Sequence, residues 1–328
     1  MPGAPVPGVP APGDSHRSID MPAAPSAAPP ASAMFGEELA AEGGQDVRLR
    51  LATLSVVGPV RETNEDHVGW FDAAGHDLTG TPDESTRTAA LAGPAVGLMV
   101  ADGLGGHGRG DLASRTATRI VMEALAVVQQ PGPGQLRAAL ELANGALLAG
   151  ELDGATDRRP GPQTTAAVLV FAAGSLHVAH IGDTRVYRMR DDVVELLTRD
   201  HSQAAELVRM KVIKPYQART HPGRHLLTRS LGGDLILRAE AASRTIYPGD
   251  AYAVCTDGCW GGLDQEHFEA ALRAEPAAGA RDLVSQAIAS GGDDNATVAI
   301  IHVDAAGSPR DGDGPDRPFW RRLLAGRS

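Results

Sequence analysis

Four times along this chain an apolar, strand-like run ends or begins on aspartate in the company of glycine. Val96–Ala101 runs into Asp102-Gly103, Leu176–Ile181 into Gly182-Asp183 and Ala251–Thr256 into Asp257-Gly258, while Asp293-Asp294-Asn295 opens Ala296–Val303. Asp-Gly is an ordinary turn signature, so any one of these turns alone carries little. Together they place a carboxylate at strand ends in a β-rich chain, and wherever those ends meet the carboxylates converge on one edge. Like charges a few ångströms apart in a partly buried place repel one another and persist only beside cations. An all-oxygen ligand set without a nearby His or Cys pattern favours Mg²⁺ or Mn²⁺ over zinc.

Further strand-like character lies at Leu49–Val57 and Ala166–Phe171. Between the second and third strand runs, Leu112, Thr116, Ile120, Ala124, Leu125 and Val128 recur at helical spacing. Leu136, Leu140, Ala143 and Leu147 do so again after Pro133-Gly134, predicting an antiparallel helix pair. With tight turns at Gly174-Ser175 and Arg190-Asp191-Asp192, the order predicts antiparallel sheets with helices packed outside. Spacing alone gives a β-rich α+β domain and does not separate a sandwich from a barrel.

Composition removes several classes. Thirty Lys and Arg against 41 Asp and Glu give a net charge of −11, which argues against general affinity for nucleic acid or anionic lipid. No apolar run approaches the roughly 18 residues of a membrane span. The only cysteines, Cys255 and Cys259, exclude a disulfide scaffold and fit a reducing compartment, so the expected address is cytoplasmic. Nine of the 23 prolines fall in the first thirty residues, so residues 1–45 are expected to be a disordered Pro/Ala-rich arm. Residues 46–305 then form the domain. Residues 306–328 form a flexible tail with a short basic-apolar end, Phe319-Trp320-Arg321-Arg322-Leu323-Leu324.

Upstream, Arg61-Glu62-Thr63-Asn64-Glu65-Asp66 puts a guanidinium and carboxylates in one short loop. A guanidinium fork beside a metal-carboxylate edge is what a phosphoryl group requires. In order along the chain come Arg61 with Asn64-Glu65-Asp66, Asp102-Gly103-Leu104-Gly105-Gly106-His107, Gln163-Thr164-Thr165, His180-Ile181-Gly182-Asp183-Thr184-Arg185-Val186-Tyr187, and Leu197-Thr198-Arg199-Asp200-His201-Ser202. His221-Pro222, Leu227-Thr228-Arg229-Ser230-Leu231-Gly232, Thr256-Asp257-Gly258 and Asp294-Asn295-Ala296-Thr297 follow. This series resembles the bacterial PPM-type (type 2C) metal-dependent protein serine/threonine phosphatases over roughly residues 47 to 304.

The resemblance implies an α+β fold of two antiparallel sheets packed as a central sandwich flanked by helices. It implies two Mn²⁺ or Mg²⁺ ions held by Asp102, the Gly103 carbonyl, Asp257 and Asp294, with Asp183 at a third ion. Glu65 and Asp66 would steady metal-bound waters, and Arg61 would bind the substrate phosphate. The implied reaction is hydrolysis of phosphoserine and phosphothreonine by two-metal activation of a bridging water, without a phosphoenzyme. The implied partners are phosphorylated proteins, made by a serine/threonine kinase.

Certain positions depart from the family pattern. Gly261 stands where a second aspartate is usual, which leaves the third ion open, Asp264 being a substitute ligand. Leu104 stands where animal members place a histidine, and His107 is the candidate general acid. Asp72–Ala95 is expected to be a mobile polar insertion. Ala204–Arg224, with Lys211, Lys214, Arg219 and Arg224, falls at the family's variable flap, either as a solvated face or as a surface for acidic phosphopeptides. These departures keep a second reading open, a catalytically weak or inactive phosphatase-fold protein acting as a regulatory binding module. Gly103–Gly108 also satisfies Gly-x-Gly-x-x-Gly, but Asp102 would set a carboxylate against a pyrophosphate and Glu123 lies within a helical run, which disfavours a dinucleotide site.

Overall fold

The longest apolar runs become strands with both faces covered, which is why they read as nearly unbroken hydrophobic stretches. The computed structural model describes residues 46–77, 85–105, 109–128, 131–149 and 161–306. In chain order the elements begin with β1 (Val47–Val56), β2 (Asp66–Asp72), β3 (Gly75–Asp77), β4 (Arg87–Gly93), β5 (Ala95–Leu104), α1 (Arg109–Ala126) and α2 (Pro133–Leu148). Next come β6 (Gln163–Thr164), β7 (Ala166–Ala172), β8 (Ser175–Ile181), β9 (Arg185–Arg190), β10 (Val193–Leu196), α3 (Gln203–Arg209) and α4 (Pro215–Ala218). The chain closes with β11 (Glu240–Thr245), β12 (Ala251–Cys255), α5 (Asp257–Trp260), α6 (Gln265–Arg273), α7 (Pro276–Ala289) and β13 (Ala296–Ala306).

These strands form two antiparallel sheets, ordered β10-β9-β12-β13-β1-β4 and β11-β8-β7-β5-β2-β3, with β6 beside the end of β5. Alternation along each strand sorts side chains into three apolar layers. Leu98 and Val100 of β5 meet Leu51, Val254 and Ile301 between the sheets. Met99 and Ala101, on the opposite face, pack on Ala117, Val121, Leu125 and Leu140 of the α1–α2 pair. Val298 and Ile300 turn the other way, onto Phe268, Leu272, Leu283 and Val284 of α6 and α7. The order of layers is therefore helix, sheet, sheet, helix, as the resemblance implies. Cys255 and Cys259 are both buried within the third layer.

Local chemistry explains the sharp connections. The β9–β10 hairpin turns on Asp191 and Asp192 at φ 49° and 63°, a left-handed pair that short polar side chains tolerate and that matches strand twist. The expectation for Asp72–Ala95 is corrected: β3 folds back on β2, and β4 pairs with β1 along the edge of the first sheet. The run Thr88-Ala89-Ala90-Leu91 hides this strand because alanine is a weak strand former. Residues 78–84, the arm and residues 307–328 lie outside the described residues. Among the described residues no helix is long and apolar enough to cross a membrane.

Candidate active site

One edge of the sandwich gathers the carboxylates, and hydrogen bonds fix the backbone and neighbours that carry them. In the β2–β5 register, Asp66 stands opposite Asp102. The Asp102 amide donates to Thr165 Oγ1 at 2.9 Å, and its carbonyl accepts from the Thr165 amide and from Thr164 Oγ1, both at 2.8 Å. Its backbone is thus fixed on both sides. Thr165 Oγ1 lies 2.6 Å from Thr184 Oγ1, tying β5 to the turn that carries Asp183. In that turn Gly182 sits at φ +96°, and a Cβ there would strike the Thr165 side chain, so glycine is required.

Asp257 opens α5 directly after β12. The preceding Thr256 donates through Oγ1 to Asp66 Oδ2 at 2.8 Å and accepts the Thr297 amide at 3.1 Å, joining β12, β2 and β13. Asp294 accepts the Asn295 amide on Oδ1 at 2.8 Å, and Arg61 Nη2 donates to its Oδ2 at 2.7 Å. Asn295 fastens the opposing loop, accepting the Glu65 amide and donating to the Val57 and Thr63 carbonyls. Asp66 and Asp102 therefore come from the second sheet, Asp257 and Asp294 from the first, and Asp183 from the crossover between them.

The electrostatics are those of crowded acids. Burial, then the charges of Asp66, Asp257, Asp183 and Asp294, push Asp102 well above the usual carboxylate range. Asp183 is raised by burial and by Asp257 and Asp200. Burial lifts Asp66 to about 7, although hydroxyl bonds from Thr297 and Thr256 pull it back. Glu65 is raised mainly by burial, opposed by Arg61 and the Gly110 amide. Asp66 Oδ1 is buried and has no hydrogen-bond partner among the described residues. An oxygen-only set with an orphaned carboxylate oxygen and mutually raised acids fits hard divalent cations.

A second cluster joins His180, His201 and Glu240, whose ligand-type atoms lie within 4.8 Å of one another. Its hydrogen bonds assign it another task. His201 Nδ1 accepts the Gly182 amide at 3.1 Å, which leaves the proton of the neutral ring on Nε2, 3.4 Å from Glu240 Oε1. His180 Nε2 lies 2.8 Å from the Arg199 carbonyl, and the two rings stack at 4.8 Å. Arg229 already supplies the neighbouring cation, 3.6 Å from Glu240. Burial pushes both histidines down, His201 to about 4, so the two rings stay uncharged beside the Glu240 carboxylate and hold the Arg199–Ser202 segment against the Asp183 turn.

Arg61, Glu65, Asp66, Asp102, Asp183, Asp257 and Asp294 are thus brought to one edge, and His107 lies outside the described residues. Asp264 is turned to Arg219, whose Nη1 donates to its Oδ1 at 2.7 Å. Two residues not foreseen from sequence complete the edge. His225 Nε2 accepts from Arg224 Nε at 2.6 Å, so its Nδ1 proton faces Asp257 Oδ2, 3.2 Å away. Trp260 Nε1 donates to the Asp183 carbonyl at 3.0 Å while its ring stacks under the Arg185 guanidinium. Both contacts join segments distant in sequence, and no spacing signals them.

Gly103 shows how closely this edge is packed. A Cβ there would overlap the Gly110 carbonyl and come within 2.7 Å of the Glu65 carbonyl. Gly103→Ala is expected to destabilise the domain by about 2–3 kcal/mol and to displace Glu65, which a thermal melt checks. A melt at the wild-type temperature would show that this contact yields freely.

The sequence model of the family described as protein phosphatase 2C matches residues 81–286. The serine/threonine protein phosphatase PstP of Mycobacterium tuberculosis is 33% identical over 261 residues, 78% of this chain and 45% of that protein. The chain thus spans about half the length of that relative. Among solved structures, the PPM Ser-Thr phosphatase MsPP from Mycobacterium smegmatis, in complex with cacodylate, superposes with a TM-score of 0.62 at 33% identity, covering 77% of this chain and 97% of that one. The catalytic domain of PstP in complex with two manganese ions gives 0.62 at 31% identity, over 80% and 100%. With a family match along more than half its length and the same fold in these relatives, the chain belongs to the protein phosphatase 2C family.

Proposed function

We propose that this chain is a metal-dependent phosphoprotein phosphatase that hydrolyses phosphoserine and phosphothreonine on the protein products of a serine/threonine kinase, in the cytoplasm. The observation that carries this reading is an edge of five aspartates, three of them, Asp66, Asp102 and Asp183, pushed above the usual carboxylate range by burial and by neighbouring charge, with one guanidinium at its rim. Asp102, Asp257, Asp294 and the Gly103 carbonyl would hold two Mn²⁺ or Mg²⁺ ions, with Asp183 available to a third. Such ions supply Lewis acidity toward phosphoryl oxygens and bring the pKa of water from 15.7 towards neutrality. Glu65 and Asp66 line the edge as hydrogen-bond acceptors that orient water. Arg61 is more than half exposed and spends one nitrogen on Asp294, leaving the rest of its fork for the substrate phosphate.

The test is hydrolysis of a phosphothreonine peptide after chelation and again with Mn²⁺ or Mg²⁺ restored, alongside Asp257→Asn. Activity that returns with metal in the wild type and not in the variant supports the reading. Silence under every metal, with folding and metal uptake verified, overturns it in favour of a regulatory binding module. Arg61→Ala is expected to raise KM about tenfold with a smaller change in kcat. An unchanged KM would remove Arg61 from phosphate binding.

A further inference from the structure

A cavity of about 310 Å³ opens between the α3–α4 segment and the α5–α6 segment. Leu196, Ala218, Leu263 and Phe268 contribute apolar wall. The charges on its lining cancel locally, since Arg185 forms two hydrogen bonds to Asp200 and Arg219 pairs with Asp264. Between these pairs the apolar wall leaves room for an aliphatic side chain. One end reaches the catalytic edge, because Gly261 and His225 both line it. The Gly261 amide caps α5 on the Asp257 carbonyl, and the His225 ring faces the Asp257 carboxylate. Glycine at 261 adds neither a side chain nor a further carboxylate to that mouth. Arg224 lies at the same rim, donating to the His225 ring and the Arg219 carbonyl, and makes no ion pair among the described residues.

We propose that this cavity is a substrate subsite that takes an aliphatic side chain, such as leucine, lying a few residues from the phosphorylated one. The proposal rests on the phosphatase reading of the neighbouring edge. A peptide whose phosphate engages that edge holds its own flanking residues beside the cavity at high effective concentration, an advantage no free small molecule has. Arg219, being paired to Asp264, offers little to an acidic residue inside the cavity. A carboxylate entering the cavity would lose its hydration and find that arginine already neutralised.

The experiment uses the full chain and a set of phosphothreonine peptides in which one leucine is walked through the flanking positions of an alanine-serine background. Each peptide is also made as the slowly hydrolysed thiophosphate for binding measurements. Leucine at one position should raise kcat/KM and affinity about tenfold over alanine, and aspartate at that position should not. Ala218→Trp, which fills the cavity, should erase the leucine step. Leu196→Asp, at a position 40% exposed and so tolerant of a charge, should do the same if the tryptophan variant fails to fold. A leucine step that survives both changes, or hydrolysis with no leucine step at any position, overturns the subsite and leaves the phosphatase reading standing. Thiophosphate binding that shows the step and its loss, without hydrolysis of any peptide, upholds the subsite and removes the phosphatase reading.

Discussion

Asp102→Asn is expected to lower kcat/KM on a phosphothreonine peptide about a thousandfold or more while leaving the fold intact. Asparagine matches aspartate in shape, and the backbone at this position is held on both sides by Thr164 and Thr165, so the substitution removes charge without moving the strand. That charge sits among four other carboxylates, one of which, Asp294, is paired with Arg61. A thousandfold loss corresponds to about 4 kcal/mol of transition-state stabilisation, which is reasonable for a central ligand charge. The measurement pairs steady-state kinetics with a Mn²⁺ titration by calorimetry and a thermal melt. Full turnover with a native melt would place the chemistry elsewhere on the molecule.

The second large effect concerns stability. In chelated protein at pH 8, Mn²⁺ at about a hundred times its dissociation constant should stabilise the fold by about 2.7 kcal/mol, or about 5–10 °C in Tm for a domain of this size. The pH dependence of the chelated protein then reports on the raised acids, Asp66 among them. The folded Asp66 carboxyl titrates at about 7 against an ordinary 3.8, so between those values the folded state binds more protons than the unfolded one. Its contribution to stability therefore falls as pH rises from about 4 to 7 and is constant above. The buried histidines slope the other way. His201 is held down to about 4 from an ordinary 6.5, so stability is lost as pH falls across that window. Comparing wild type with Asp66→Asn cancels the histidines. The variant should melt with wild type near pH 4 and progressively above it up to pH 7. A constant difference across the window would show that Asp66 ionises normally.

Much of this architecture could be read from residue order. Val96–Ala101 and Ala296–Val303 announced themselves because neighbouring layers bury both of their faces, and the α1–α2 pair because its apolar positions recur every three to four residues. The carboxylates were legible because each lies where an apolar run meets a turn. β2 was not, although it carries Asp66, since a strand beginning Asp66-His67 gives no apolar alternation at its start. β9 and β11 were hidden by arginines and glutamate that pair within the fold, as Arg190 does with Asp250. His225 and Trp260 were silent because their roles arise only when the flap and α5 are packed against the edge. Among the basic flap residues, sequence shows the charge of Arg219 and not its partner Asp264.

The placement of β13 sets a condition on how the protein is made. It is the last strand described, yet it lies between β12 and β1 in the interior of its sheet, and Asp294 just precedes it while its partner Arg61 lies 233 residues earlier. When Arg61, Glu65, Asp66 and Asp102 have emerged from a ribosome, the strand that must bring the other half of the edge has not been synthesised. The nascent chain then presents β1 with one side unpaired, an opening for misassociation. The edge is accordingly assembled only once β13 has been added, since a chain that stops short of it holds Arg61 and Asp102 without Asp294.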